Sequence, residues 1–161
     1  MEMLWYVDEE DRVIGSVSRD EAHRNMLLHR TGIVFLFDSE DRVFLQHRAN
    51  KPTFPNRYDA SSSFHVTYGE DYETAAKREL QEETGVRVAL RYVGKFVHHD
   101  SPEHQIVAVF VGSYDGKIRL DPTEAVNGIW YEQEAADKII KGGNVTPWLR
   151  DGWKLWQKTL A

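Results

Sequence analysis

The sequence predicts a mixed α/β (α+β) fold, a mixed β-sheet with helices on both faces, and three observations lead there. Segments of strand character arrive in hairpin pairs, which fits poorly with purely parallel winding. Helical segments with start and stop signals are interspersed among them. At 161 residues, 41% apolar and 29% charged, the chain has room for one domain with a real core and hardly for two.

Residues 4–7 and 13–17 read as a hairpin around the acidic turn 8–11. Ser18-Arg19-Asp20-Glu21 has capping-box spacing, which starts a short helix through His23 to residue 25. A stronger strand pair, 33–37 and 43–47, flanks the turn 38–41, and the prolines Pro52 and Pro55 make 49–56 a loop. Asp71 caps a helix over 72–84 that Gly85 ends. Strands are expected over 86–97, 105–114, 117–120 and 126–131. A helix over 132–141 stops at Gly142-Gly143, and Thr146-Pro147 opens a last one carrying Trp148, Trp153 and Trp156. The expected organisation is therefore one domain over 1–161: hairpin and short helix in 1–29, core in 30–131, C-terminal helices in 132–160. No internal repeat or low-complexity segment interrupts it.

Composition removes several function classes. No apolar run approaches the roughly 18 residues of a membrane span, and the acidic N-terminus lacks signal-peptide character, so a cytoplasmic protein without a membrane partner is expected. The absence of cysteine excludes disulfides, thiolate metal sites and a cysteine nucleophile. A net charge of −6 argues against a nucleic-acid polymer as partner, though not against a small phosphorylated ligand held through a metal.

The informative segment is the end of the 72–84 helix. At about 100° per residue its apolar stripe is Tyr72, Ala76 and Leu80. Glu83 falls inside that stripe, Glu79 on its flank and Glu82 a little further round, while Lys77, Arg78 and Gln81 take the outer face. A merely solvated acidic face would lie opposite the stripe. These acids also crowd the negative end of the helix dipole, at a cost of roughly 0.3–1 kcal/mol each. A divalent cation would remove the conflict, the alternative being an unfavourable surface cluster. Oxygen ligands favour Mg²⁺ or Mn²⁺, and Mg²⁺ completes its shell with water and substrate phosphates, which points to a diphosphate.

Glu70, seven residues, then Arg78-Glu79-Leu80-Gln81-Glu82-Glu83-Thr84-Gly85-Val86 resembles the Nudix box at every specified position but the opening glycine, where Phe64 stands. The resemblance implies a Nudix α/β/α sandwich whose box glutamates bind divalent metal. Position by position it implies Glu79, Glu82 and Glu83 as metal ligands, Glu70 as the supporting acid and Arg78 as the residue that orients a box glutamate. The carbonyl of Ser63 would join the metal. Further residues, among them His29, Arg48, Lys51-Pro52, Asp59 and Thr146-Pro147-Trp148, resemble the branch that includes isopentenyl-diphosphate isomerase. His65 and His29 match isomerase metal ligands, with His23 a shifted third. The isomerase's cysteine is matched by Ser63, and its pair of glutamates by Glu103 and Gln105. With the thiol and one carboxylate missing and the box intact, the expectation is a diphosphate hydrolase. The alternatives are an isomerase-like enzyme and a non-catalytic ligand sensor, for which Phe64 is the one piece of support.

Taken singly, His65 is a candidate metal ligand or a loop hydrogen-bonder. His23 and His29, six apart, lean towards structural roles. His98, His99 and His104, near Asp100 and Glu103, read as a solvated loop or as a second metal or base cluster. Arg48 and Lys51 are the candidates for the substrate's phosphates. The general base is Glu83 or Glu82 within the box, with Glu103 or His104 as the off-box option. A monomer or a homodimer is expected, acting on a small-molecule diphosphate.

Overall fold

The structure, a computed structural model, describes residues 1–99 and 103–160. In chain order it comprises β1 (Met3–Val7), β2 (Val13–Ser18), α1 (Arg19–Arg24), β3 (His29–Phe37), β4 (Val43–Arg48), β5 (Tyr58–Asp59), β6 (Ser62–His65), α2 (Tyr72–Thr84), β7 (Arg91–His98), β8 (Gln105–Ser113), β9 (Ala125–Tyr131), α3 (Gln133–Lys141) and α4 (Pro147–Lys158). The sheet is mixed, as expected. β3 and β8 run parallel at its centre, from His29↔Gln105 to Phe37↔Ser113. β7 adds antiparallel to β8, β6 and β4 to β3, and β5 and β9 to β4, while β1 links the N-terminal hairpin to β3.

Period-two alternation along β3 distributes the core between two layers. Ile33 and Phe35 pack with Ile140, Leu149, Trp153 and Trp156 of α3 and α4. Val34 and Leu36 pack with Ala75, Ala76 and Leu80 of α2. Helices therefore cover both faces, and each large side chain buried between layers contributes roughly 1.5–3 kcal/mol. Among the described residues no helix is long and apolar enough to cross a membrane.

Two local expectations change. The strand expected from residue 86 begins at Arg91. No strand forms over 117–120, because Arg119 N–H donates to the Thr84 carbonyl (3.0 Å) at the end of α2 instead of to a ladder. The serine-rich run does form β6, held by pairing with β3 and not by propensity. In that pairing Gly32 faces Phe64, and a Cβ at Gly32 would lie 2.4 Å from the Phe64 ring. Phe64 is buried in the layer beneath α2, so the side chain missing at one strand position is supplied at the other.

The hairpin turns at 8–12 and 38–42 are built alike, an echo of Asp-x-Glu-Asp-Arg too short to read as a repeat. Asp8 Oδ1 accepts from the N–H groups of Glu10 (3.0 Å) and Arg12 (2.9 Å), and Asp38 Oδ1 does the same with Glu40 (3.0 Å) and Arg42 (2.8 Å). Asp11 (φ 64°) and Asp41 (φ 60°) take the left-handed conformation that aspartate tolerates.

Candidate active site

The Nudix-like face of the site is set by α2. Asp71 caps it by accepting from Thr74 N–H (2.7 Å), and Gly85 ends it at φ 74°. Glu83 is buried beside Leu80, as the apolar stripe requires, and its Oε2 accepts from the Ser62 hydroxyl at 2.5 Å. Burial, with the charges of Glu79 and Asp59 nearby, pushes the Glu83 carboxyl well above its usual range. Burial also raises Glu79, against the opposing pull of Arg78.

Arg78 departs from its expected place on the outer face. Its long side chain reaches back and forks onto Glu70 (Nη2–Oε1 2.6 Å, Nε–Oε2 3.2 Å) while Nη1 donates to Glu79 Oε1 at 2.9 Å. Burial works to raise Glu70, but the Arg78 fork and the Thr67 N–H (2.9 Å) outweigh it and hold the carboxyl below its usual range. Arg78 touches Glu82 only at 3.4 Å, and the Glu82 side chain is 59% exposed.

A second group of side chains, the histidine face, is assembled from four separate segments. His23 comes from α1, His29 from the start of β3, His65 from the end of β6, and Glu103 from just before β8. One ligand atom from each lies within 4.8 Å of all the others. His29 and His65 stack at 5.4 Å, and Thr31↔His65 pairing fixes His65 against β3. The Leu27 carbonyl accepts from His29 Nδ1 (2.8 Å), so His29 Nε2 carries a lone pair. Burial lowers the pKa of His29, and burial with its histidine and cationic neighbours lowers His65 much further, which favours neutral imidazoles. The Nε2 atoms of all three histidines and Glu103 Oε2 are buried without a hydrogen-bond partner. His23 Nε2 lies 3.1 Å from Glu103 Oε2 yet lacks hydrogen-bond geometry. Such a set of orphaned lone pairs fits a divalent cation, as does a buried Glu83 with no cationic partner among the described residues. Against the structural leaning given to His23 and His29, both belong to a group of side chains able to hold a metal ion. They are six apart in sequence but converge because one ends a helical turn and the other opens a strand.

Glu79, Glu83, Ser63, His65, Glu103, Arg48 and Lys51 all line one cavity. His23, His29, Glu82, Glu70 and Arg78 do not, the last two standing behind Glu79. Arg48 uses its guanidinium within the protein, donating to Asp59 Oδ2 (3.0 Å) and to the carbonyls of Thr53 and Phe54 (both 3.1 Å). It thus braces the loop that carries Lys51, whose Nζ pairs with Glu124. Ser63 Oγ donates to Asp59 Oδ2 at 2.9 Å, and Trp148 Nε1 donates to Asp59 Oδ1 at 2.9 Å. Trp153 is buried in the core, not available for stacking on a ligand. His104 does not line the cavity, and Asp100 lies outside the described residues. Sequence reasoning missed Arg19, an exposed cation on the cavity. The signal was there: Arg19 opens α1 four residues before His23, one turn away on the same side.

Residues 27–149 match the NUDIX domain. The chain belongs to the Nudix family. It is 38% identical over 147 residues to an isopentenyl-diphosphate Delta-isomerase of Serratia proteamaculans, covering 87% of this chain and 82% of that protein. It is 35% identical over 157 residues to a prenyl-diphosphate phosphatase of Methanosarcina mazei, covering 93% and 92%. The crystal structure of DR0079 from Deinococcus radiodurans superposes with a TM-score of 0.81 at 25% identity, over 95% of this chain and 98% of that one. The Nudix fold expected from the box and the isomerase-like branch expected from residues outside it are both borne out.

Proposed function

We propose that this Nudix protein, acting as one unit over residues 1–161, hydrolyses the diphosphate linkage of a small substrate of nucleoside-diphosphate or isoprenoid-diphosphate type. Glu83 is the observation that carries the reading. It is a buried carboxylate with only Ser62 as side-chain hydrogen-bond partner among the described residues, facing a cavity shared with Glu79, Glu103 and the cations Arg19 and Lys51. Its relative from Methanosarcina mazei is named for phosphate removal from a prenyl diphosphate, which fits the same site.

Mg²⁺ or Mn²⁺ would be held by Glu79 and Glu83 with Ser63, by Glu82 from the outer side, and by the histidine face. Such a cation supplies neutralisation of the phosphate oxygens and makes the attacking water more acidic. The chain's own groups do the rest. Lys51 and Arg19 draw in the terminal phosphate, and Arg48 fixes the loop under Lys51. Glu70 and Arg78 hold Glu79 in place. Water oxygen bonds to phosphorus as the bridging P–O bond breaks, and its proton passes to Glu83, with Glu103 as the second carboxylate in reach of the cavity. Release of inorganic phosphate or of monophosphate products, followed by chromatography, from a panel of nucleoside, nucleotide-sugar, isoprenoid and thiamine diphosphates tests this. Turnover that needs both the metal and Glu83 is expected, and no release from any member would overturn it.

The histidine face supports a second reading, isomerisation of a five-carbon diphosphate, because the resemblance assigns those histidines to an isomerase metal. Against it, Ser63 stands where the thiol is wanted, its hydroxyl engaged with Asp59, and Gln105 replaces the second carboxylate.

A further inference from the structure

We infer that the chain carries another cation site, outside the catalytic cavity, formed by Glu9, His99 and His104 and suited to a borderline divalent ion such as Zn²⁺. Glu9 belongs to the β1–β2 turn, while His99, the residue after β7, and His104, the residue before β8, are five apart in sequence. One ligand atom from each lies within 4.8 Å of the other two. His99 Nε2 is 3.8 Å from Glu9 Oε1, and the two imidazole rings are 4.7 Å apart.

His99 and Glu9 alone would be an ordinary surface pair, with side chains 55% and 68% exposed. His104 makes the difference. Its Nδ1 lies 3.0 Å from the Met26 carbonyl, which can only accept, so Nδ1 carries the proton and Nε2 the lone pair. That Nε2 is buried and has no hydrogen-bond partner among the described residues. An imidazole oriented through Nδ1 by a carbonyl, with Nε2 left open, is how proteins present histidine to a metal. The same turn does this twice. Met26 sits at φ 52°, and the consecutive carbonyls of Met26 and Leu27 orient His104 and His29 respectively. One strained turn thus aims an imidazole at each of two sites, the inner one and this outer one. The hydrogen-bonded turn at 8–12 presents Glu9 on a fixed frame.

Two imidazoles and one carboxylate select Zn²⁺-like ions over Mg²⁺, which prefers oxygen, and three protein ligands leave the remaining position to water. The site does not rest on the proposed hydrolysis. Zinc bound per chain, counted by ultrafiltration and elemental analysis with excess Mg²⁺ present, tests it. The parent is compared with Glu9→Gln/His99→Ala and with His65→Ala, which belongs to the inner face. The double variant is expected to bind one zinc fewer than the parent, whatever the inner site does. Zinc retained in full by the double variant throughout the titration overturns the proposal. Loss in His65→Ala reports separately on the inner site. Nitrogen NMR of the histidines gives an independent readout without any substitution. Zinc should shift Nε2 of His99 and His104 and leave His104 Nδ1 protonated, whereas an unmoved His104 Nε2 overturns the assignment.

Discussion

The α2 glutamates and the histidine face both contribute side chains to one cavity but are built in opposite ways. The α2 face is local: Glu79 and Glu83 are one turn apart, with Arg78 and Glu70 behind them within a few residues. The histidine face is entirely non-local, with ligands from positions 23, 29, 65 and 103 brought together by α1, by the β3–β6 ladder and by the start of β8. On the proposed reading the first group supplies both the metal-binding and the positioning side chains. The second has side chains able to hold a metal but carries Ser63 and Gln105 where proton transfer to carbon would need a stronger acid and a base. The difference teaches, on that reading, that metal binding and isomerase chemistry can separate.

The sharpest way to break this comparison is to look for isomerisation. Each member of an acid–base pair contributes roughly 10²–10⁴-fold, and both are missing. Deuterium uptake by isopentenyl diphosphate in D₂O with Mg²⁺ present, followed by NMR, is expected to stay at the no-enzyme rate. Uptake above that control would return the histidine face to isomerase work. The next largest effect belongs to Glu83→Gln, expected to keep the fold and lower kcat by about 10²–10⁴-fold. His65→Ala should lower it by a smaller factor, and equal losses in a phosphate-release assay would erase the distinction between the faces.

Arg78→Lys keeps a charge but not the fork onto Glu70. Supporting interactions of this kind are worth about 10–100-fold in metal affinity or activity, so a raised Mg²⁺ requirement is expected with little change in thermal midpoint. An unchanged Mg²⁺ titration would reduce Arg78 to a surface charge. The smallest effect concerns metal-free stability. A carboxyl whose folded pKa lies above its unfolded value favours folding at low pH, and that advantage is lost as pH rises from the ordinary carboxylate range through the folded pKa. Glu83→Gln in chelator should therefore be as stable as the parent or more so at neutral pH, and its denaturation midpoint should fall less between acid and neutral pH. A parent more stable than the variant at neutral pH would contradict the charge conflict.

How much of this was legible in the sequence follows from the same contrast. Helical periodicity on one segment placed Glu83 inside and Glu82 outside, because i to i+4 geometry is fixed by the helix itself. It misplaced Arg78, since a wheel records where a side chain starts and not how far a long one reaches. The histidine face was opaque to spacing. Nothing local says that residue 23 will meet residue 103, and a Ser-rich segment gives no strand signal until β3 pairs with it. Only the family resemblance singled out His29 and His65 together. Arg48 was read as a free cation because sequence cannot show that Asp59 and two loop carbonyls already occupy its donors.

The exchange between Gly32 and Phe64 has a consequence for how such a site can evolve. A side chain added at 32 forces the ring to shift, and glycine at 64 leaves a hole under α2, so each change is costly before the other. The two positions form an epistatic pair, and the box glycine is recoverable only along a path on which a bulkier residue arrives across the ladder at nearly the same step. Among descendants of this sequence, one glycine should therefore be shared between the two positions, present at one or the other and rarely at both.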